Sequence, residues 1–393
     1  MRAVGSTRWQ VASSEVVRDI NRRVILNLIR TRQPLSRADL ARLSGLQRST
    51  ISLIVEELIR DHWVLEGPRG RLPRGRRPTY LRLNDDRVII GVDLRPTQTT
   101  VALADVNGKF SVQEVIVTPS DPRQAVDELI SRIQHLLHSC REKKVEGIGI
   151  SLPGRVDPAS GRLVFAPNLK WPEFDVRTPV SEATGLEVEL ENAATACVLA
   201  AAWFDHLGSR NLVVVTVSEG IGAGILANGQ IARGASGMAG EFGHVPLDPA
   251  GPLCGCGSRG CWEVFASNRA ALRYYYDSPP PAGGMGFLDL LSLADQGDAR
   301  AAQAVKTMAW QLGRGMRMIV AGLDPEQILV IGDLTRCWHQ FGPVIEAEVA
   351  AQVLPGAARP AVVPVHEGGL ARLRGTVALV LQKHFGLSNE VPA

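Results

Sequence analysis

The sequence predicts an α/β protein in two parts, a small N-terminal winged helix-turn-helix and a larger, internally duplicated body. Three short helical patterns come first, followed by two strands around an arginine-rich loop. A pattern of strands, hairpin and helix then occurs twice. Charge is also divided, because residues 1–83 carry 17 Arg, no Lys and 7 acidic residues, whereas the whole chain has a net charge of +3. A basic segment on an acidic remainder is typical of a nucleic-acid-binding module joined to a second domain.

Length and composition narrow the class of protein. At 393 residues the chain is long enough for two or three domains. A hydrophobic content of 45% with 21% charged residues is typical of globular proteins. No run of about 18 apolar residues occurs, so no membrane span is predicted. The first residues lack the apolar segment of a signal peptide, and we expect a cytoplasmic protein without a membrane partner.

The first 83 residues predict a flexible stretch, 1–14, and a winged helix-turn-helix domain, 15–83. A first helix is expected from Glu15 to Arg32, because apolar residues recur there at helical spacing. These residues are Val17, Ile20, Val24 and Leu28.

A capping pattern predicts the second helix. Ser36 can cap the N-terminus of a short helix over 37–43, and Asp39 stands three residues later, as in a capping box. Gly45 permits a tight turn into a third helix, from about Gln47 to Asp61. The apolar face of that helix would be Ile51, Ile54, Val55 and Leu58. Helix lengths, turn and periodicity together indicate a helix-turn-helix.

Two short strands, Trp63–Glu66 and Tyr80–Leu83, enclose a loop with five arginines among glycines and prolines. Such a loop suits a wing that lies along DNA, where arginine favours phosphates or a narrow minor groove. On the third helix, Gln suits adenine, Arg suits guanine, and Ser or Thr reaches bases or phosphates. The candidate DNA contacts are Gln47, Arg48, Ser49, Thr50 and Ser52 on the helix, and Arg74, Arg76 and Arg77 in the wing. The alternative is an ordinary solvated helix face.

Residues 84–393 alternate between strands and helices. Asn107-Gly108 predicts a type I′ hairpin turn, and Asn228-Gly229 introduces a second turn in the corresponding place. Two similar halves predict two lobes with a cleft between them. The expected elements are strands Val88–Leu94, Thr99–Ala104 and Val112–Val117, helix 122–142, strands Val145–Leu152, Leu212–Val217, Ala223–Leu226 and Gln230–Arg233, helices within 287–322, strand Ile328–Ile331 and helix Gly369–His384.

A metal site is predicted in the loop 244–261. One histidine and three cysteines form the ligand set that tetrahedral structural zinc favours, and nearby glycines let the backbone fold tightly around one ion. These ligands are His244, Cys254, Cys256 and Cys261. With all four positions taken by protein, the Zn²⁺ would be structural. The other cysteines, Cys140, Cys197 and Cys337, stand apart in apolar or helical segments and are expected to be buried.

The run GEFGHVPLDPAGPLCGCGSRGCWE, residues 240–263, resembles the hallmark of the ROK family of sugar kinases and transcriptional repressors. The resemblance covers nearly the whole chain, since the N-terminal part is similar to that of the regulator branch. It implies a bilobal fold of the actin/hexokinase type, which is ribonuclease-H-like, in residues 84–393. It also implies a hexose-type ligand in the cleft and a homo-oligomer, either a homodimer or a homotetramer.

The sequence departs from the kinases of this family where they handle phosphate. Their D-x-G-G-T loop corresponds to Asp93–Thr97, which lacks both glycines and has a proline without an N–H. Their general-base aspartate corresponds to Ala193, which accepts no proton. A late Gly-Gly turn reads Gly332-Asp333. The second phosphate loop, 218–224, keeps its glycines but begins Ser-Glu. We therefore expect no catalytic residue and no phosphoryl transfer.

The sugar side of the cleft keeps the family's pattern. Carboxylates and amides suit vicinal hydroxyls, because each can bridge two of them. The resemblance implies that the effector-binding residues are Asn168, Asn192, Glu241, His244 and Glu263. An alternative is that Glu241 and Glu263 merely support the metal loop.

These expectations combine into a DNA-binding transcriptional regulator, most simply a repressor, whose partners are operator DNA and a sugar or sugar-phosphate effector. One alternative is an active sugar kinase with an appended DNA-binding domain, against which Ala193 argues. Another is a regulator that senses a protein partner, which the retained Glu241 and Glu263 disfavour.

Overall fold

The computed structural model describes residues 14–69, 78–157, 160–204, 208–281, 283–351, 356, 358–366 and 368–386. The chain divides into two compact units, one of Met1–Arg87 with Gln382–Ala393 and the other of Val88–Leu381. The sequence-based division at residue 84 places the whole C-terminal part in the body, whereas in the structure residues 382–386 belong to the first unit.

The first unit is a winged helix-turn-helix. Its elements are α1 (Ser14–Arg32), β1 (Leu35–Ser36), α2 (Arg37–Ser44), α3 (Arg48–Arg60), β2 (Val64–Arg69) and β3 (Thr79–Leu83), and the three strands form a sheet in the order β1-β3-β2. The predicted capping box of α2 is present, since Ser36 Oγ accepts from Asp39 N at 3.2 Å and Asp39 Oδ2 accepts from Ser36 N at 3.0 Å. Gly45 ends α2 with a positive φ of 73°.

The buried face was predicted correctly for α3 but not for α1. The predicted apolar face of α3 is buried. The apolar stripe predicted for α1 is wrong as a core face, because Val17 and Ile20 are 46% and 42% exposed. The buried apolar residues of α1 are instead Ile25, Leu26 and Ile29. All of residues 14–20 are exposed, so the first two turns of α1 contribute no buried side chain to the core of the described unit.

The end of the chain's last helix contributes to the core of the first unit. Phe385 is buried and meets the Trp63 ring edge-on at 5.5 Å. Asn27 Nδ2 donates to the Phe385 carbonyl at 2.6 Å. The Arg87 guanidinium stacks over the Trp63 ring, 3.9 Å from the centre of that ring. The domain therefore includes residues from both ends of the sequence.

The first half of the second unit is a five-stranded sheet flanked by helices. Its elements are β4 (Arg87–Leu94), β5 (Gln98–Asp105), β6 (Phe110–Val117), α4 (Pro122–Ser139), β7 (Lys144–Leu152), β8 (Arg155–Val156), β9 (Leu163–Phe165), α5 (Arg177–Thr184), β10 (Val188–Asn192) and α6 (Ala193–Phe204). The sheet order is β10-β7-β4-β5-β6. Strands β4, β5 and β6 are antiparallel, and β10 pairs with β7 in parallel.

The second half repeats that topology. Its elements are β11 (Leu212–Val217), β12 (Ile221–Ala227), β13 (Gln230–Ile231), α7 (Glu263–Ala266), α8 (Asn268–Tyr276), α9 (Phe287–Asp295), α10 (Ala299–Leu323), β14 (Gln327–Ile331), α11 (Trp338–Ala350), β15 (Ala361–Val365) and α12 (Gly368–Phe385). The sheet order, β13-β12-β11-β14-β15, again joins three antiparallel strands to two parallel ones. The predicted duplication is therefore confirmed, with a ribonuclease-H-like pattern in each half.

The two Asn-Gly turns differ. Asn228 and Gly229 both have positive φ, 52° and 79°, and join adjacent strands through two residues, as a type I′ hairpin requires. The type I′ turn predicted at Asn107-Gly108 is wrong, because Gly108 has positive φ and Asn107 does not. Residues 106–109 separate the strands there, and the Gly108 amide donates to the Asp105 carbonyl. The longer loop relaxes the requirement for two left-handed residues.

Each half of the second unit has its own apolar core. One core lies around β4, β7 and α4, and the other around β11, β14 and α10. Among the residues described, no helix combines the length and the apolar character needed to cross a membrane.

Candidate effector cavity and metal centre

The four predicted metal ligands lie together. The ligand atoms of His244, Cys254, Cys256 and Cys261 are all within 4.8 Å of one another. The Cys256 and Cys261 sulfurs are 3.7 Å apart, and Cys254 Sγ lies 3.6 Å from His244 Nδ1. A tetrahedral zinc with Zn–S bonds of about 2.3 Å places two thiolate sulfurs roughly 3.8 Å apart. The donor set and its spacing therefore fit one tetrahedral ion.

A buried tryptophan anchors the loop that carries these ligands. Trp262 directly follows Cys261, is fully buried, and donates from Nε1 to the Gln311 carbonyl at 3.0 Å. Gly315 makes room for this ring, since a Cβ there would lie 2.0 Å from it. At Gly260, φ is 64° and a Cβ would lie 1.5 Å from the Asp248 carbonyl oxygen. A side chain at Gly260 would therefore prevent the loop from closing.

The three cysteines outside the loop are buried, as predicted. Burial raises the pKa of the Cys197 thiol to about 12, and burial likewise raises the pKa values of Cys140 and Cys337. Because the thiolate is the reactive form, these cysteines are inert packing residues.

A cavity of about 560 Å³ lies next to the metal cluster, within the second unit. All five residues proposed from the sequence to bind an effector line it: Asn168, Asn192, Glu241, His244 and Glu263. His244 connects the two sites, since its Nδ1 faces Cys254 while its Nε2 lies 3.7 Å from Glu241 Oε2. Burial raises the pKa of the Glu241 carboxyl, although His244 and Arg155 act against that rise. The structure thus brings the candidate residues together in one cavity.

A glycine keeps part of this cavity open. A Cβ at Gly220 would lie 2.2 Å from Glu263 Oε2 and 2.9 Å from Asn168 Nδ2. The same Glu263 oxygen accepts from the Ile221 amide at 3.1 Å. Two of the candidate side chains are therefore held against the loop that connects β11 with β12.

Asn192 is positioned by its neighbours. Its Oδ1 accepts from the Thr195 amide at 2.8 Å, which leaves the amide nitrogen as the atom best placed to serve a ligand. Its backbone N–H donates to Glu191 Oε1 at 2.9 Å, and Glu191 Oε2 accepts from Arg233 Nε at 2.8 Å. Because Glu191 lies on the first sheet and Arg233 follows the second, this ion pair spans the two halves of the unit.

Two arginines hold the carboxylate that begins the first phosphate loop in the kinases. Asp93 Oδ2 accepts from Arg95 Nε at 2.7 Å and from Arg372 Nε at 3.1 Å, and Oδ1 accepts from Ser151 Oγ at 3.0 Å. Burial of Arg372 lowers its pKa, but the neighbouring carboxylate of Asp93 outweighs this effect and holds the pKa of Arg372 above its ordinary value. Ala193 also lines the cavity. Arg372 could not be predicted as a partner of Asp93, because the two residues are 279 positions apart in the chain.

Helix α3, the third helix of the winged helix-turn-helix, presents part of its predicted surface. Gln47, Arg48 and Ser49 are exposed, whereas Thr50 and Ser52 are half-buried. Ser52 Oγ donates to the Arg48 carbonyl at 3.0 Å, so its hydroxyl proton is already used within the helix. Leu53, an apolar residue that the predicted polar surface did not include, is 63% exposed on the same helix. The wing residues Arg74, Arg76 and Arg77 lie outside the described residues.

Comparisons with known proteins place these features in context. The model of the ROK family matches residues 89–383. The xylose repressor of Bacillus spizizenii is 30% identical over 350 residues, which are 88% of this chain and 90% of that repressor. A solved ROK family transcriptional regulator, a homologue of the E. coli MLC protein, superposes with a TM-score of 0.79 at 25% identity and covers 94% of this chain and 98% of its own. A ROK family glucokinase from Streptomyces griseus, solved with glucose and AMPPNP, has a TM-score of 0.67 at 29% identity, with coverage of 75% and 99%.

Proposed function

Because the chain belongs to the ROK family, whose model matches residues 89–383, we propose that it is a sequence-specific DNA-binding transcriptional regulator controlled by a sugar. The observation that carries this proposal is that one chain contains both a winged helix-turn-helix and a cavity lined by carboxylate and amide side chains, which suit sugar hydroxyls. The similarity to a protein named xylose repressor supports repression of genes for carbohydrate metabolism as its action. It would act in the cytoplasm as a homodimer or homotetramer.

The DNA contacts would come from α3 and the wing. Gln47, Arg48 and Ser49 stand exposed at the start of α3, where side chains can reach base edges in the major groove. Thr50 would donate to a phosphate, whereas Ser52, whose proton is used within the helix, would contribute as an acceptor from a base. Arg74, Arg76 and Arg77 would meet the backbone or the minor groove from the wing. Two copies in an oligomer would suit a pseudo-palindromic operator.

The metal cluster would hold a structural zinc ion through His244, Cys254, Cys256 and Cys261. The sulfur and nitrogen spacings described above support this assignment. A bound ion would fix the loop that carries Glu241 and Glu263, and would thereby shape one wall of the cavity.

The effector would bind through Asn168, Asn192, Glu241, His244 and Glu263, whose oxygens and nitrogens suit sugar hydroxyls. Binding would shift the population between forms that are competent and incompetent for operator DNA. No contact with the DNA is needed for such control, because a ligand acts through its different affinities for the two forms.

The proposal is tested by selecting duplexes from a randomised library with the full-length protein. We expect a two-part sequence to be enriched, and we expect one sugar among D-xylose, D-glucose, N-acetyl-D-glucosamine and their phosphates to release it. The variant Glu241→Gln should bind the same duplex but resist release, because it loses a charged acceptor in the cavity. Glu173→Gln, at an exposed carboxylate outside the cavity, is the matched control and should respond like the wild type. If no sequence is enriched, the DNA-binding function is wrong; if Glu241→Gln responds normally, the effector binds elsewhere.

The kinase alternative predicts turnover, and we expect none. Magnesium sites that serve phosphates need carboxylate oxygens, but Asp93 is already paired with Arg95 and Arg372, whose positive charges oppose a cation beside it. Ala193 also stands where the kinases have their proton acceptor. A coupled ADP assay across common hexoses should therefore give only background, and Ala193→Asp should not restore activity by itself. Turnover of about 1 per second or more would place the protein with the kinases.

A further inference from the structure

One ion pair joins the two halves of the second unit beside the cavity. Arg233 follows β13 in the second half, and its Nε donates at 2.8 Å to Oε2 of Glu191, on β10 of the first half. The side chain of Glu191 is 12% exposed and that of Arg233 is 31% exposed, so the pair is largely shielded from water. A charge-assisted hydrogen bond in such a place holds its partners more firmly than an exposed ion pair does.

A second arginine reaches between the halves in the opposite direction. Arg155, on β8 of the first half, donates from Nη1 to the Ser236 carbonyl of the second half at 3.3 Å. Both contacts fall in the segment between β13 and Glu241, and a hydrogen bond from the Ala239 amide to the Arg233 carbonyl, at 3.1 Å, closes this segment. The first half therefore holds, at two points, the segment that leads to a carboxylate of the cavity.

The other member of the ion pair holds Asn192. Strand β10 lies at the edge of the described sheet and pairs with β7, so the end of β10 has a strand neighbour on one side only. At this end Glu191 Oε1 accepts from the Asn192 backbone N–H at 2.9 Å, while Oε2 accepts from Arg233. Asn192 lines the cavity and accepts from the Thr195 amide at the start of α6. One carboxylate thus connects Arg233 of the second half to a cavity residue of the first.

From these contacts, and resting on the proposed sugar control, we propose that Arg233 is a positioning residue of the effector site. Its pairing with Glu191 holds Asn192, and the segment that leads to Glu241, in the arrangement in which a sugar binds. The Arg233–Glu191 pair acts as a clasp, because Asn192 and Glu241 line one cavity from different halves and separating these halves breaks the pair. A site held in its binding arrangement before the ligand arrives binds that ligand more tightly.

The test begins with calorimetric titration of the full-length protein with D-xylose, D-glucose, N-acetyl-D-glucosamine and the 6-phosphates of the last two. Arg233→Gln should weaken the tightest of these ligands by about tenfold, and Arg233→Lys, which keeps the charge, should restore part of the affinity. In the unliganded variant Arg233→Gln, amide hydrogen exchange should become faster in residues 191–195 of the first half and in residues 232–240 of the second, because the clasp no longer restrains them.

A double variant separates positioning from a simple loss of stability. Arg233→Gln alone leaves the Glu191 carboxylate shielded from water without its cation, which lowers the thermal midpoint. Combining Glu191→Gln with Arg233→Gln removes that charge, so the double variant should recover much of the thermal midpoint but not the sugar affinity. Recovery of the affinity together with the midpoint would overturn the proposal, because the ligand would then not need the clasp.

Arg317→Gln is the matched control. Arg317 pairs with Glu348 at the same distance of 2.8 Å and with similar exposure, but both residues lie in the second half. This variant should lower the thermal midpoint and leave both the sugar affinity and the exchange of the two segments unchanged. Wild-type affinity in Arg233→Gln would overturn the positioning role while the regulator function stands. If the wild type binds none of these ligands, sugar control is wrong, and unchanged exchange in either segment of Arg233→Gln would then show that the pair is no clasp.

Discussion

Cys256→Ser is expected to release the zinc ion and to lower the free energy of unfolding by on the order of 4 kcal/mol or more. The free energy of binding a structural metal adds to the stability of the folded state, because the unfolded chain has no preformed site. Cys256 is only half-buried, so exchanging its sulfur for oxygen leaves no large void. The loss would therefore measure the metal and not the packing of one side chain.

By elemental analysis, the purified wild type should contain about one zinc per chain. The Cys256→Ser variant should contain much less zinc and should have a correspondingly lower thermal midpoint. Cys337→Ser is the control, because Cys337 is a buried cysteine outside the cluster and should leave the zinc content unchanged. A wild type that keeps full stability after complete removal of metal by a chelator would contradict the assignment.

The clustering of His244, Cys254, Cys256 and Cys261 could be predicted from the sequence because these residues lie within 18 residues of one another, and the glycines between them are part of the same local pattern. The capping box of α2 could be predicted for the same reason, since Ser36 and Asp39 are three residues apart. Local signals need no knowledge of tertiary packing.

Features that depend on distant parts of the chain could not be predicted. The prediction of the buried face of α1 was wrong because periodicity identifies a possible apolar face but does not show which turns of the helix contact a neighbour. The pairing of Asp93 with Arg372 and the burial of Phe385 against Trp63 both join segments hundreds of residues apart.

Arg48→Ala is expected to weaken binding to the selected operator by about 1–3 kcal/mol while changing affinity for random duplex little. Arg48 is the first residue of α3 and is exposed, and residues at the start of a recognition helix contact base edges. Its guanidinium can bind guanine through two parallel hydrogen bonds, which alanine cannot replace. Base edges carry sequence information and phosphates do not, so a base contact should be lost selectively.

Arg60→Ala is the matched control, because Arg60 is an exposed arginine at the opposite end of the same helix. Its removal should affect operator and random duplex alike, and only slightly. Arg76→Ala, in the wing, should weaken both duplexes and lower the salt slope of binding by about one unit if it meets a phosphate. A narrow minor groove would instead make the Arg76 effect larger on A·T-rich operators. Titrations at several salt concentrations separate these outcomes, and unchanged affinity of both Arg48→Ala and Arg76→Ala for every duplex would show that DNA binds to another surface.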